Sequence, residues 1–286
     1  MFNLDHYLDQ AGKRINVALD KLLPPETAAP PTIHKAMRYS IFAGGKRIRP
    51  VLTLAACEAV GGKTAAAMPL ACAVECIHTY SLIHDDLPCM DDDDLRRGRP
   101  TNHKVFGEGI AVLAGDALLT HAFILAATKA EYVLELAFAA GSERLIAGQV
   151  QDLENESRQA TLDEVKTTHQ NKTGALITAS IRLGALAGNA SPTQLKRLTR
   201  YGQALGLAFQ VIDDILDATS TKEIMGKSVR ADQKNQKSTY TSVLGVEKSR
   251  AYAAELIADA HQQLRGFDKN ADALRAIADF FLTRSH

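Results

Sequence analysis

Six aspartates fall within ten residues of this 286-residue chain: Asp85 and Asp86, then Asp91 to Asp94, with Arg96 and Arg97 close behind. Carboxylates at this density repel one another unless a cation neutralises them. Hard divalent ions such as magnesium take oxygen ligands, keep several waters, and bind through a few carboxylates plus substrate phosphates. Arginines beside such a cluster suit a phosphate on the far side of the metal. An acidic run is also what a solvated loop looks like. A second set decides between the two. Asp213, Asp214 and Asp217 lie inside the apolar stretch Phe209 to Asp217, and Asp213 and Asp217, at i and i+4, share one helix face. Carboxylates beside Phe209, Val211, Ile212, Ile215 and Leu216 are costly to bury without a metal or a partner. Two acidic clusters over a hundred residues apart, each ending an apolar helical run, predict a cavity with metal at its mouth.

Other residues carry weaker signals. Gly44-Gly45-Lys46-Arg47-Ile48-Arg49-Pro50 places cations after a diglycine and before a helix, which suits an anion site as well as an ordinary basic turn. His78 precedes Asp85 by seven residues, two turns along the same face; it reads either as a ligand or as a satisfied core histidine. Neighbouring side chains at Arg96 and Arg97 point in different directions, so one can serve each of two anions. Gln210, one turn before Asp213, can hydrogen-bond a substrate or fix a carboxylate. Asp116, after Gly115, interrupts an apolar helix and requires a local partner. The polar stretch 219–237 beside the second cluster reads as a lid.

The elements that must position these groups are helices. Eight of the nine prolines lie at or before Pro100, the ninth being Pro192, so long stretches are free of the strongest helix breaker. Apolar residues recur at helical spacing, as in Leu256, Ile257, Ala260, Leu264 and in Leu274, Ile277, Phe281. No sustained alternation and no strand–helix rhythm is visible. The chain therefore reads as all-α, a single domain over residues 1–286 built as a large bundle of about ten or more helices around a central apolar cavity. Helices are expected at 33–43 and from about Val51 to Val60.

Composition narrows the function. Net charge is zero, against a broad nucleic-acid or anionic-membrane surface. The best candidate for a membrane span, Gly109 to Thr128, is broken by Asp116 and His121. The N-terminus lacks a basic start with an apolar signal region, so the cytoplasm is the expected compartment. Cys57, Cys72, Cys76 and Cys89 show no zinc spacing and read as buried thiols.

Asp85-Asp86-(four residues)-Asp91 followed by Asp213-Asp214-(two residues)-Asp217 resembles the paired aspartate motifs of short-chain trans-prenyltransferases of the polyprenyl synthase family, most like bacterial farnesyl diphosphate synthases, over nearly the whole chain. The resemblance implies about three magnesium ions held with substrate by Asp85, Asp86, Asp91, Asp213 and Asp217. It assigns Lys46, Arg49, His78 and Arg97 to isopentenyl diphosphate. It assigns Arg96, Lys172, Thr173, Lys227 and Lys237 to the allylic diphosphate, dimethylallyl or geranyl, with Lys172, Arg96, Lys227 and Gln210 as the catalytic set around the leaving group. Gly148-Gln149 and Asp152 resemble the family's Gly-Gly-Gln-x-x-Asp, but Ala147 replaces the first glycine and weakens any role for the backbone there. In the family, an aromatic five residues before the first motif and a lengthened motif, here Tyr80 (with Ser81) and Leu87 to Met90, accompany short products. Tyr80 lies about 6–8 Å down the helix from Asp85. The expected product is farnesyl diphosphate, the alternatives being geranylgeranyl or geranyl diphosphate. A terpene cyclase would not need the Lys46/Arg49/His78 set, and a non-catalytic regulatory subunit would be expected to lose aspartates from one motif. A homodimer is carried over from the family.

Overall fold

The computed structural model describes residues 2–155, 158–219 and 238–284. Lys227 and Lys237, and nearly all of the proposed lid, lie outside them.

The chain folds as the helix bundle its apolar spacing demands. α1 (Leu4–Leu22) is capped by the Asn3 side chain accepting from His6 N–H, and its stripe Ala11, Ile15, Leu19 faces inward. α2 (Pro31–Ile41) has proline at its first position, where the missing N–H is an orphan anyway. α3 is Ile48–Ala59. It starts three residues earlier than the sequence predicts, because Pro50 sits within the first turn, where it removes no helical hydrogen bond. Arg49 is thereby fixed on a helix instead of lying in a loop.

α4 (Thr64–Asp85) is apolar all round and buried through most of its length. It ends at Asp85, three residues before Pro88. A short hairpin follows, β1 (Leu95–Arg96) antiparallel to β2 (Arg99–Pro100). Its turn residues Arg97 and Gly98 both have positive φ, 54° and 73°, as a two-residue hairpin turn of the primed kind requires. Two residues per strand are too few to leave an alternating pattern in the sequence.

Next come α5 (Asn102–Phe106), α6 (Glu108–Ala126), α7 (Ala130–Ala140), α8 (Leu145–Glu154) and α9 (Leu162–His169). A π-helical turn, Gln170–Gly174, leads into α10 (Ala175–Ala187). α11 (Pro192–Thr219) carries the second aspartate set in its last turns. Its start is fixed by reciprocal bonds between Ser191 and Gln194, a capping-box arrangement. α12 (Tyr240–Leu244), α13 (Val246–Gln263) and α14 (Asp272–Thr283) close the bundle.

α4 packs against α3, α6 and α10, and α11 packs against α10 and α13, so the two helices that end in aspartates are joined through α10. Both α4 and α6 are long and apolar enough to span a bilayer by length and composition, contrary to the sequence expectation for α6. In the bundle the most apolar window of α4 is 67% buried and that of α6 39%.

Candidate active site

At the end of α4 the chain turns back on itself. Asp91 N–H donates to the Asp85 carbonyl (2.9 Å), bringing the Asp91 carboxylate beside Asp85. Burial pushes the Asp85 carboxyl up to about 6; Asp91 and Asp86 add to the rise, while Lys172 and Arg96 oppose it. Asp86 is buried and accepts from Arg96 Nε at 2.6 Å; Arg96 also pairs with Asp93 at 3.3 Å. Arg97, on the next residue, turns the other way. Its guanidinium donates to the Gly44 carbonyl and packs on Gly45, where a Cβ would lie 2.6 Å from the guanidinium carbon. The opposed directions expected of Arg96 and Arg97 are those of the hairpin, and the diglycine leaves the space that Arg97 occupies.

Around Arg97 the basic motif divides into two. Arg47, at positive φ, turns inward to a buried pair with Glu75 (2.6 Å) and bonds Asn16 at 3.0 Å. It holds α3 to α4. Arg49 Nη1 lies 3.4 Å from His78 Nε2. A guanidinium only donates, so His78 accepts at Nε2. Burial, then the neighbouring Arg49 and Arg97, hold His78 well below the ordinary histidine range, so it enters the site neutral. Arg49 Nε is buried with no hydrogen-bond partner. Lys46 is exposed, with Nζ 5.5 Å from the Phe280 ring centre. A buried, unsatisfied donor on a half-buried cation, flanked by Lys46 and Arg97, is what an anion such as a diphosphate would satisfy.

On the opposite wall stands the π-helical turn. Lys172 Nζ pairs with Asp152 at 2.7 Å, and Asn171 reaches Gln151 at 3.3 Å. This aims Lys172 at the field of Asp85, and Thr173 lies next to it. The close approach depends on Gly148, where a Cβ would sit 2.1 Å from the Lys172 nitrogen. The glycine that matters to the backbone is therefore the retained one, and Ala147 departs from the family pattern at a position that tolerates a side chain.

On α11, Asp213 and Asp217 share one face, with Gln210 a turn earlier. Asp214 points elsewhere: it is buried and accepts the Tyr240 N–H at 2.7 Å, with His169 Nδ1 4.0 Å away. Burial lowers His169 to about 4. Asp213 is ion-paired to Arg284, whose Nη2 also donates to the Phe209 carbonyl at 3.1 Å. The sequence reading missed Arg284, a residue at the end of α14 with no local pattern around it.

Beneath the first motif, Tyr80 is 6% exposed, and its hydroxyl is buried without a hydrogen-bond partner. Ser81, on the Asp85 face, donates to the His78 carbonyl at 3.0 Å. The partner expected for Asp116 is not required: α6 turns this carboxylate to solvent, 57% exposed, with His84 the neighbouring ring at 3.9 Å. Of the four cysteines, Cys57, Cys72 and Cys76 are the expected buried thiols, whereas Cys89 is exposed in the loop between Asp86 and Asp91.

The donors at the two motifs are carboxylate oxygens, and Asp85 is held high by burial and neighbouring carboxylates, an excess that a divalent cation offsets. The residues therefore fit magnesium. Among the described residues no group of three or more His, Cys, Asp or Glu side chains forms a ready cage; the carboxylates suit the mode in which water and substrate phosphates complete the coordination.

Residues 30–279 match the family model described as polyprenyl synthetase. The large subunit 1 of a heterodimeric chloroplastic geranylgeranyl pyrophosphate synthase from Arabidopsis thaliana is 48% identical over 300 residues, covering 100% of this chain and 80% of that one. A dimethylallyltranstransferase from Fischerella ambigua is 48% identical over 298 residues, covering 100% and 85%. Among solved structures, a FPP/GFPP synthase from Zymomonas mobilis superposes with a TM-score of 0.86 at 37% identity, over 98% of this chain and 99% of that one. The chain belongs to the polyprenyl synthetase family. It is a prenyltransferase of the short-chain trans class, all-α as its sequence predicts.

Proposed function

We propose that this protein condenses isopentenyl diphosphate with dimethylallyl and then geranyl diphosphate, releasing farnesyl diphosphate. The observation that carries the product assignment is Tyr80, a bulky ring close beneath Asp85. Arg96 and Lys172, each held by a carboxylate, flank the first motif and stabilise charge on the departing allylic diphosphate, with Thr173 and Gln210 beside it. Magnesium, when bound, neutralises that leaving group. Arg49, Lys46, Arg97 and neutral His78 hold isopentenyl diphosphate so that its double bond faces the allylic carbon. The allylic carbon–oxygen bond breaks first, its electron pair leaving on the diphosphate; the isopentenyl double bond then attacks the allylic cation, and the proton lost afterwards goes to the released diphosphate. The apolar bundle excludes water from the cation.

A second reading, geranylgeranyl diphosphate as product, is favoured by the name of the Arabidopsis relative. The homodimer expected from the family is supported by the exposed apolar surface on α6, α7 and α8, which includes Leu113, Ile124, Leu134, Phe138, Ile146 and Val150. The test is to incubate the protein with magnesium, isopentenyl diphosphate and dimethylallyl diphosphate, then dephosphorylate and identify the alcohols. Farnesol as the main product supports the proposal. Geranylgeraniol transfers it to the second reading, and no elongation sinks the synthase assignment in favour of a cyclase or a regulatory subunit.

A further inference from the structure

The hydroxyl of Tyr80 is buried and makes no hydrogen bond, so no polar contact at its tip decides where the ring stands. Packing must do so. One turn further along α4, the His84 ring meets Tyr80 edge-on, with centroids 5.7 Å apart and planes at 77°. His84 is itself seated on α6. Its Nε2 donates to the Val112 carbonyl at 3.0 Å and lies 3.9 Å from the Asp116 carboxylate. Between those two residues is Gly115, where a Cβ would fall 2.1 Å from His84 Nε2 and 2.5 Å from Cδ2. The ring therefore occupies the space that any other residue at 115 would fill. The Gly115-Asp116 pair that interrupts an apolar helix in the sequence is a socket for one histidine.

We infer that His84, seated in the Gly115–Asp116 socket, is a positioning residue that sets product chain length by wedging Tyr80 away from α6. The next residue along the chain is Asp85. The wedge thus lies between the carboxylate end of the site and the ring beneath it, and it controls how far Tyr80 stands across the path of the growing tail. The inference rests on Tyr80 being the floor. It predicts opposite effects from its two ends. Removing the imidazole opens space beside Tyr80 and lets the ring retreat towards α6, which lengthens the product. Adding a methyl at Gly115 displaces the imidazole towards Tyr80, which shortens it.

The experiment compares alcohol products from the magnesium-loaded enzyme and its His84→Ala, His84→Asn, Gly115→Ala and Tyr80→Ala variants, with circular dichroism of each. His84→Asn retains a donor for the Val112 carbonyl and sheds most of the ring, so it gives a folded test where alanine loosens the helix contact. The expected result is a roughly tenfold rise in the geranylgeraniol-to-farnesol ratio for both His84 variants, a size typical of a single pocket contact, and a shift towards geraniol for Gly115→Ala. The double variant H84A/G115A, having no ring to displace, should behave as His84→Ala. An unchanged product ratio in the His84 variants, with Tyr80→Ala lengthening the product, overturns the wedge and leaves the floor in place. An unchanged ratio in Tyr80→Ala overturns the floor, and the wedge falls with it.

Discussion

Arg284, at the end of α14, is ion-paired with Asp213, the first carboxylate of the second motif, across 71 residues of sequence. Its guanidinium carbon lies 4.1 Å from the Phe209 ring centre, and the side chain is only 8% exposed while Asp213 is 37% exposed. The arginine thus offsets charge on Asp213 while leaving that carboxylate side chain partly open. It also depresses Lys46 electrostatically, second only to burial, and so adds to the positive field around that lysine.

A metal bound at Asp213 would compete with Arg284 for its charge, so removing the arginine should favour the metal. Arg284→Gln is expected to tighten manganese binding to the substrate-free protein severalfold, read by calorimetry or by the spin signal of the free ion. Its KM for isopentenyl diphosphate should rise at the same time, because a cation near Lys46 is lost. Weaker manganese binding would show that Arg284 organises Asp213 for metal and does not mask it.

Metal binding should also report the buried state of Asp85. Its carboxyl is held up at about 6, chiefly by burial, so below that pH the metal-free site binds a proton that the metal must displace. The sign follows directly: apparent magnesium affinity rises with pH up to about 6 and levels off above it, falling about tenfold per unit on the acid side. Calorimetry in buffers of different ionisation enthalpy should detect up to one proton released per site near pH 5.5 and little at pH 8. Equal proton release at both values would contradict the assignment of Asp85 as a ligand. Asp85→Ala and Asp213→Ala should each abolish most turnover.

Much of this site was legible in the sequence because its chemistry is dense and local. Two aspartate sets at fixed spacing after apolar helical runs point to a metal site without knowledge of the fold, whereas the diglycine with Lys46 and Arg49 reads equally as a basic turn and takes its anion-site reading from the family resemblance. What stayed hidden depends on tertiary contact. Arg47 reads like its neighbours yet turns inward to Glu75, since positive φ at one residue reverses its side chain. Asp116 reads as a buried charge in need of a partner, yet it faces solvent, because an apolar run does not reveal which side of α6 is turned outward. The hairpin is too short for an alternating pattern, and a π-helical turn has the composition of an α-helix.

Gly148 and Ala147 give the sharpest contrast between family pattern and physical requirement. A methyl at 148 would fall 2.1 Å from the Lys172 backbone nitrogen, so Gly148→Ala must push the π-helical turn away from α8. A displacement of about 1 Å at a charge-stabilising lysine costs on the order of a hundredfold in kcat. Ala147→Gly, which restores the family residue, should leave kcat within about twofold and cost roughly 0.5–1 kcal/mol of stability, as glycine does inside a helix. Steady-state kinetics and denaturant unfolding of the two variants decide the matter; similar kcat losses in both would place the close approach elsewhere.

Lys46 and Arg47 are adjacent in the basic motif yet should fail in different ways. The Arg47–Glu75 pair is 4% and 3% exposed, and removing one partner of a buried pair leaves an uncompensated charge, a loss of about 3–5 kcal/mol. Arg47→Met should therefore lower the unfolding midpoint sharply and reduce activity only through loss of folded protein. Lys46 is exposed and contributes little to the fold, so Lys46→Met should unfold at the same denaturant concentration as the parent. Its cost should appear instead as a rise in KM for isopentenyl diphosphate, about tenfold if one charge-assisted hydrogen bond is lost. Changing Glu75 to Gln alongside Arg47→Met removes the stranded carboxylate and should recover part of the stability. If it recovers none, the pair acts through packing of the long arginine stem and not through charge.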